Sequence, residues 1–156
     1  MALDEDTLQT RPAAPDETEQ LVRIRRDAEL EAQQFLPASY FNEKAETVRD
    51  EIRTGDVYVI GGETDGAENV LGFIGLQDDC IAGFFIDRAF QSQGLGKRLL
   101  DYVKERYGQL TLDVFAKNEG AVRFYTREGF RILSSAADPA TGELVYTMVW
   151  ARADQH

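Results

Sequence analysis

The stretch Phe84-Phe85-Ile86-Asp87-Arg88-Ala89-Phe90-Gln91-Ser92-Gln93-Gly94-Leu95-Gly96-Lys97-Arg98-Leu99-Leu100 decides how this chain is read. An apolar run from Ile81 to Ile86 reads as a strand and ends in a short polar turn. An amphipathic segment from Leu95 to Tyr107 begins at once. Gly94 and Gly96 fall at the junction. Glycines there leave backbone N–H groups uncovered, and the following helix brings its positive dipole end to the same place. Together these make an anion site suited to a diphosphate, held by the amides of Gln91, Ser92, Gln93, Gly94, Leu95, Gly96 and Lys97. A tight turn that binds nothing uses the same glycines, so the order of the elements, not the glycine pair, carries the reading.

The flanks extend the pattern in both directions. Residues 1–7 read as a disordered tail and residues 8–156 as one domain. Thr7 to Arg11 reads as a first strand, and Pro15 opens a helix with Leu21, Ile24 and Ala28 at helical spacing. Pro37 breaks that pattern, and Asn42 stands as the cap of a second helix that ends near Gly55. Val57–Ile60, Val70–Leu76 and Ile81–Ile86 read as strands. A turn-rich loop, Gly61 to Glu68, separates the first two, and Gln77-Asp78-Asp79 makes a hairpin of the last two. After the helix that stops at Gly108 come a strand, Leu110–Phe115, and a helix from about Glu119 ended by Gly129. A final hairpin pairs Phe130–Ser134 with Leu144–Trp150. The order β-α-α-β-β-β-α-β-α-β-β is a mixed α/β (α+β) plan, one mixed sheet with helices on both faces.

A second block, Asn118-Glu119-Gly120-Ala121-Val122-Arg123-Phe124-Tyr125 with Gly129-Phe130 beyond it, follows the strand Leu110–Phe115. The two blocks together resemble the GNAT superfamily of N-acetyltransferases. That family carries Arg/Gln-x-x-Gly-x-Gly/Ala after its fourth strand and Asn-x-x-Ala-x-x-Phe-Tyr…Gly-Phe downstream. The specific resemblance covers about residues 70 to 150, and the first 60 match in element order only. Within the family the C-terminal half looks like small bacterial members that acetylate protein lysines.

The resemblance implies acetyl-CoA as co-substrate and direct attack by an amine in a ternary complex. It implies that the strand carrying Phe84, Phe85 and Ile86 diverges from the next one, leaving an edge on which the pantetheine arm pairs as an added strand. The Phe84 and Phe85 side chains are ordinary core candidates; the proposal concerns their backbone, which also polarises the thioester carbonyl. Tyr125 matches the tyrosine that protonates the leaving thiolate, and a phenol with a pKa of about 10 keeps its proton at neutral pH. Asn118 hydrogen-bonds the pantetheine, caps its helix, or does both. The strand Ile81–Ile86 holds no carboxylate, although many relatives place a glutamate there. A water chain, or Asp113 with its acidity weakened by burial in an apolar strand, is left as the base. A structural carboxylate at Asp113 is the competing reading. Phe35, Tyr40 and Phe41 lie where the family lines its acceptor pocket, and core packing explains them equally.

Composition narrows the function classes. The 156 residues include one cysteine, Cys80, and one histidine, His156 at the C-terminus. No intramolecular disulfide, no zinc cluster and no His-based catalytic set is available, so no metal is expected. The net charge of −11 is uneven: residues 20–90 hold fourteen acids against seven bases, whereas residues 91–156 hold eight against nine. The half with the phosphate loop is near neutral, and the acidic half suits a cationic amine acceptor or merely a soluble surface. Nucleic acid and membrane are not expected partners, and no basic, apolar leader opens the chain. The protein is read as cytoplasmic, a monomer or a homodimer. The amine of a polyamine, an aminoglycoside or an amino acid stands beside protein lysine as acceptor, and a non-catalytic acyl-CoA-binding module is the rival reading.

Overall fold

Apolar β-branched runs separated by two-residue turns build most of one sheet. In the computed structural model residues 3–32, 45–91 and 93–152 are described, without side chains at 29–32 and 45–48. Seven strands form the sheet: β1 (Leu3–Pro12), β2 (Asp56–Thr64), β3 (Ala67–Gln77), β4 (Cys80–Ile86), β5 (Gln109–Phe115), β6 (Arg131–Ala137) and β7 (Leu144–Ala151). Their spatial order is β1-β2-β3-β4-β5-β7-β6. Every neighbouring pair is antiparallel except β4–β5. That exception follows from the helix α3 (Leu95–Lys104) between them, because a crossover is what allows two successive strands to run parallel. The other helices are α1 (Thr18–Ala32), entered through a 3-10 turn at Pro15–Glu17, α2 (Ala45–Thr54) and α4 (Glu119–Arg127). The expected α/β plan and element order hold, with helices on both faces.

Two expectations give way together. The loop expected from Gly61 to Glu68 is a two-residue turn at Asp65-Gly66, with φ of 53° and 85°. Both turn residues take the left-handed conformation a tight hairpin needs, which Asp and Gly accept readily. β2 therefore runs on to Thr64. Its added length gives Leu3 and Asp4 partners, Thr64 and Glu63, and Thr7 Oγ1 accepts a 2.7 Å hydrogen bond from Glu63 N. Residues 3–7 are thus strand, not a disordered tail. The strand bulges between Asp4 and Gln9, which conceals it from a search for strict alternation.

The core has two layers. On one face Leu21 and Ile24 of α1 pack on Val57, Val59, Val70 and Phe73, with Ile52 of α2 beside them. On the other, Leu95, Leu99, Leu100 and Val103 of α3 pack with Tyr125 and Phe130 on Ile74, Leu110, Leu112 and Met148. Leu99, Leu100 and Val103 are fully buried, and each such side chain is worth about 1.5–3 kcal/mol of burial. This packing holds the N-terminus of α3 against the end of β4. Among the described residues no helix is long and apolar enough to cross a membrane.

Candidate active site

The site begins with a mismatch in strand length. Leu76 pairs with Ile81 but Gly75 pairs with Gly83, so Ala82 is an extra residue in β4. An extra residue bends a strand and increases its local twist. At that point β4 leaves β5. The two pair only at Cys80↔Thr111 and Ile81↔Leu112, whereas β3 follows β4 on to Ile86. Phe84, Phe85 and Ile86 therefore carry a strand edge that faces a gap, as expected. The gap is a cleft of about 210 Å³, lined by Gly83, Phe84, Phe85, Asp113, Asn118 and Tyr125 among others.

The turn after β4 is fixed by local bonds. Asp87 N donates to Leu71 O at 2.7 Å, its carboxylate accepts from Ala89 N at 3.0 Å, and Phe90 is buried. Gln91 Nε2 donates to Ile86 O at 3.2 Å, so this side chain ties the turn back to the strand end. Gln93 is exposed; Ser92 lies outside the described residues. Gly94 caps α3 with φ of 77°, and no side chain caps that helix. A Cβ on Gly94 would have no protein atom within 4 Å, so its φ, not crowding, calls for glycine. A Cβ on Gly96 would stand 3.6 Å from the Phe124 ring, an ordinary contact. Gly94, Leu95, Gly96 and Lys97 thus present first-turn amides that the helix itself cannot satisfy.

The Lys97 side chain is turned to two carboxylates. Its Nζ is 3.1 Å from Glu128 Oε1 and 3.4 Å from Asp101 Oδ2. The hydrogen bond to Glu128, with Asp101 beside it, raises the ammonium pKa above the usual lysine value. The role expected of Lys97 rests on its amide. Glu128 is itself buried, and Lys104 Nζ bonds its carbonyl while lying 5.1 Å from the Trp150 ring centroid. These contacts clamp the end of α4 to α3.

Helix α4 brings the two polar groups of the second block to the gap. Asn118 Oδ1 accepts from Ala121 N at 3.3 Å, so the residue caps its helix and lines the cleft at once. Tyr125 is buried among Phe84, Phe124 and Phe130, with ring centroids 6.2, 5.4 and 5.3 Å away. Among the described residues no group shares a hydrogen bond with its hydroxyl, and burial pushes its pKa well above the usual phenol value. Its hydroxyl keeps its proton at neutral pH.

The acceptor side differs more from expectation. Asp113 is exposed, not buried, and Thr147 Oγ1 donates to it at 2.7 Å. Strand alternation sends Leu112 and Val114 into the α3–α4 layer and turns Asp113 to the opposite, open side. The desolvated carboxylate expected inside an apolar strand is therefore absent. Phe35, Tyr40 and Phe41 lie outside the described residues. Arg25, not singled out from sequence, reaches the cleft from α1 and pairs with Glu51 of α2 at 3.2 Å. Its only sequence signal is a polar position next to the buried Ile24. A larger cleft of about 610 Å³, near Pro12, Ile52 and Tyr58, contains none of these residues.

A seven-stranded sheet splayed at its one parallel pair, with an uncapped glycine-led helix at the splay, is the architecture of acetyltransferases. Among solved structures, apo YjaB from Escherichia coli superposes with a TM-score of 0.79 at 26% identity, over 94% of this chain and 99% of that one. PaiA N-acetyltransferase from Thermoplasma acidophilum, solved in complex with coenzyme A, gives 0.69 at 17% identity over 94% and 99%. In sequence the chain is 31% identical to the peptidyl-lysine N-acetyltransferase YiaC of Escherichia coli over 74% of its length and 78% of that protein's. It is 32% identical to the peptidyl-lysine N-acetyltransferase YjaB of Salmonella typhimurium over 75% and 79%. The family model described as an acetyltransferase (GNAT) domain matches residues 13–150, and the chain belongs to that family. The expected resemblance and enzyme class hold.

Proposed function

We propose that the protein transfers the acetyl group of acetyl-CoA to the side-chain amine of a lysine in another protein. The observation that carries the reading is the splay of β4 from β5 after Ile81, ending at the uncapped start of α3. The carrier supplies an activated acetyl thioester. The first-turn amides of α3 hold a diphosphate, and the open edge at Phe84–Ile86 pairs with the amides of an extended arm. The Asn118 side chain adds a further polar contact at the gap. Tyr125 gives its proton to the departing thiolate, a step worth roughly 10²–10⁴ in rate for a well-placed acid. The amine attacks directly, and water relays its proton, because β4 offers no carboxylate. The lysine acceptor is supported by the names of YiaC and YjaB and by the acidic first half of the chain.

The test is release of free CoA thiol with protein and small-molecule amines, comparing wild type with Tyr125→Phe. The expected result is acetylation of protein lysine, with turnover falling sharply in the variant. Tight acetyl-CoA binding with no thiol released across a broad amine panel would show a binding module instead.

A further inference from the structure

The gap between β4 and β5 opens on both faces of the sheet. Tyr125, Phe84 and the start of α3 stand on one face, so a carrier gripped there reaches the gap from that side. The amine must then come from the other face, where Phe85 packs on Phe73 at 5.8 Å beneath α1. Two charged groups that the transfer step does not use stand on that face. Arg25 comes from the β4 side. Its Nη1 lies 3.5 Å from where a Cβ on Gly83 would be, so the missing side chain makes room for it. Its guanidinium carbon is 5.3 Å from the Phe85 ring centroid, and Nη1 is 3.2 Å from Glu51 Oε2. The side chain is only 16% exposed. Ring and carboxylate together fix the plane of the guanidinium before any ligand arrives. Asp113 stands on the β5 side, exposed and steadied by the Thr147 hydroxyl. Both groups line the same gap.

From this juxtaposition we infer that the acceptor mouth reads two opposite charges: a lysine whose ammonium approaches Asp113, flanked in its own chain by an acidic residue that Arg25 receives. This deepens the protein-lysine reading and rests on it. The charge of Arg25 is matched by Glu51, whereas Asp113 is steadied by a neutral hydroxyl, so the ammonium is drawn to the Asp113 lip and the lysine enters in one orientation. That orientation puts its neighbour over the guanidinium, whose five N–H donors in a planar fork suit a carboxylate. Arg25 acts here as a specificity-determining residue, not as a group that moves a proton.

The experiment measures kcat/KM by thiol release. It uses end-blocked peptides with one central lysine flanked by Glu, by Gln or by Arg. Wild type is expected to favour Glu over Arg by roughly tenfold, the size of one charge-assisted contact. In Arg25→Gln the ratio should fall towards one, mostly through KM. Glu51→Gln removes a carboxylate that competes for Arg25, so the ratio should rise there; this variant serves as well if Arg25→Gln folds poorly. No preference in wild type, or one that survives Arg25→Gln, overturns the inference. So does an unmoved ratio in Glu51→Gln: two variants that merely melt earlier would mean Arg25 and Glu51 only brace α1 against α2. If no peptide or amine releases thiol at all, the parent reading of an acetyltransferase for lysine fails as well, and the two failures are distinct.

Discussion

The two faces of the β4–β5 gap are built from different materials. On the α3–α4 face the site is largely backbone: the amides around Gly94, the free edge of Phe84–Ile86, and one buried phenol. On the α1–α2 face it is charged side chains brought together across the chain, Arg25 with Glu51 and Asp113 with Thr147. A backbone site demands a few residue types in a short local order, because only glycine rests easily at φ of 77° and only a helix start leaves amides free. A side-chain site tolerates many solutions and leaves no local pattern. A face set by backbone conformation is therefore written locally in the chain, and a face set by charged side chains is not.

The largest expected effect tests the first face. Tyr125→Phe should lower kcat by about 10²–10³-fold while the KM for acetyl-CoA hardly changes, since a general acid acts in the transition state and not in binding. Steady-state thiol release checks it. Equal losses in kcat and acetyl-CoA affinity would make Tyr125 a packing residue.

Gly94→Val comes next. A β-branched residue held at positive φ is strained by about 1–3 kcal/mol, so unfolding free energy should drop by that amount and acetyl-CoA affinity should fall with it. Gly96→Ala meets only an ordinary contact with Phe124 and should change stability far less. Denaturant titration and calorimetry on both variants separate conformation from crowding. Similar losses at the two positions would contradict the backbone account of that face.

A smaller effect concerns the clamp between α3 and α4. Glu128→Gln removes the charge that Lys97 pairs with, and should lower the melting temperature by less than Gly94→Val does. Its acetyl-CoA affinity should not fall if the diphosphate is held by amides alone, since the Lys97 ammonium pairs with Glu128. Weaker binding than wild type would put the Glu128 pair inside the anion site after all.

The smallest effect is a pH dependence. Burial raises the pKa of both Tyr125 and Tyr107 in the folded state. A group raised on folding contributes stability that is whole below its unfolded pKa, about 10 for a phenol, and is lost as pH rises beyond it. Melting temperature should therefore be insensitive to these phenols at neutral pH and decline above about pH 10. Tyr125→Phe should shallow that decline. Identical alkaline slopes would show that this phenol is not desolvated.

Legibility follows the same division. The glycine turn and the Asn118 cap are readable because each combines a local pattern with a local conformation, whereas Tyr125 stands out from an ordinary buried tyrosine only through the family motif. The splay was readable only as a family trait. Its physical origin, the extra Ala82, breaks no visible alternation in an apolar strand. The strand at Leu3 was missed because its partner exists only once Asp65-Gly66 turns tightly. Asp113 was misjudged because an acid between Leu112 and Val114 looks buried unless one asks which sheet face is covered. The Lys97–Glu128 pair carries no local signal, because the two residues lie 31 positions apart.

Amide hydrogen exchange with and without acetyl-CoA tests the central claim most directly. Uncapped amides at 94–97 and the Phe84 and Ile86 amides, which point away from β3, should exchange quickly in the free protein. With the carrier at about 100 times its Kd, both segments should slow together by up to roughly 100-fold. Unchanged exchange in both, or protection appearing instead around Pro12–Ala14 and Ile52–Tyr58 at the larger cleft, would contradict the account.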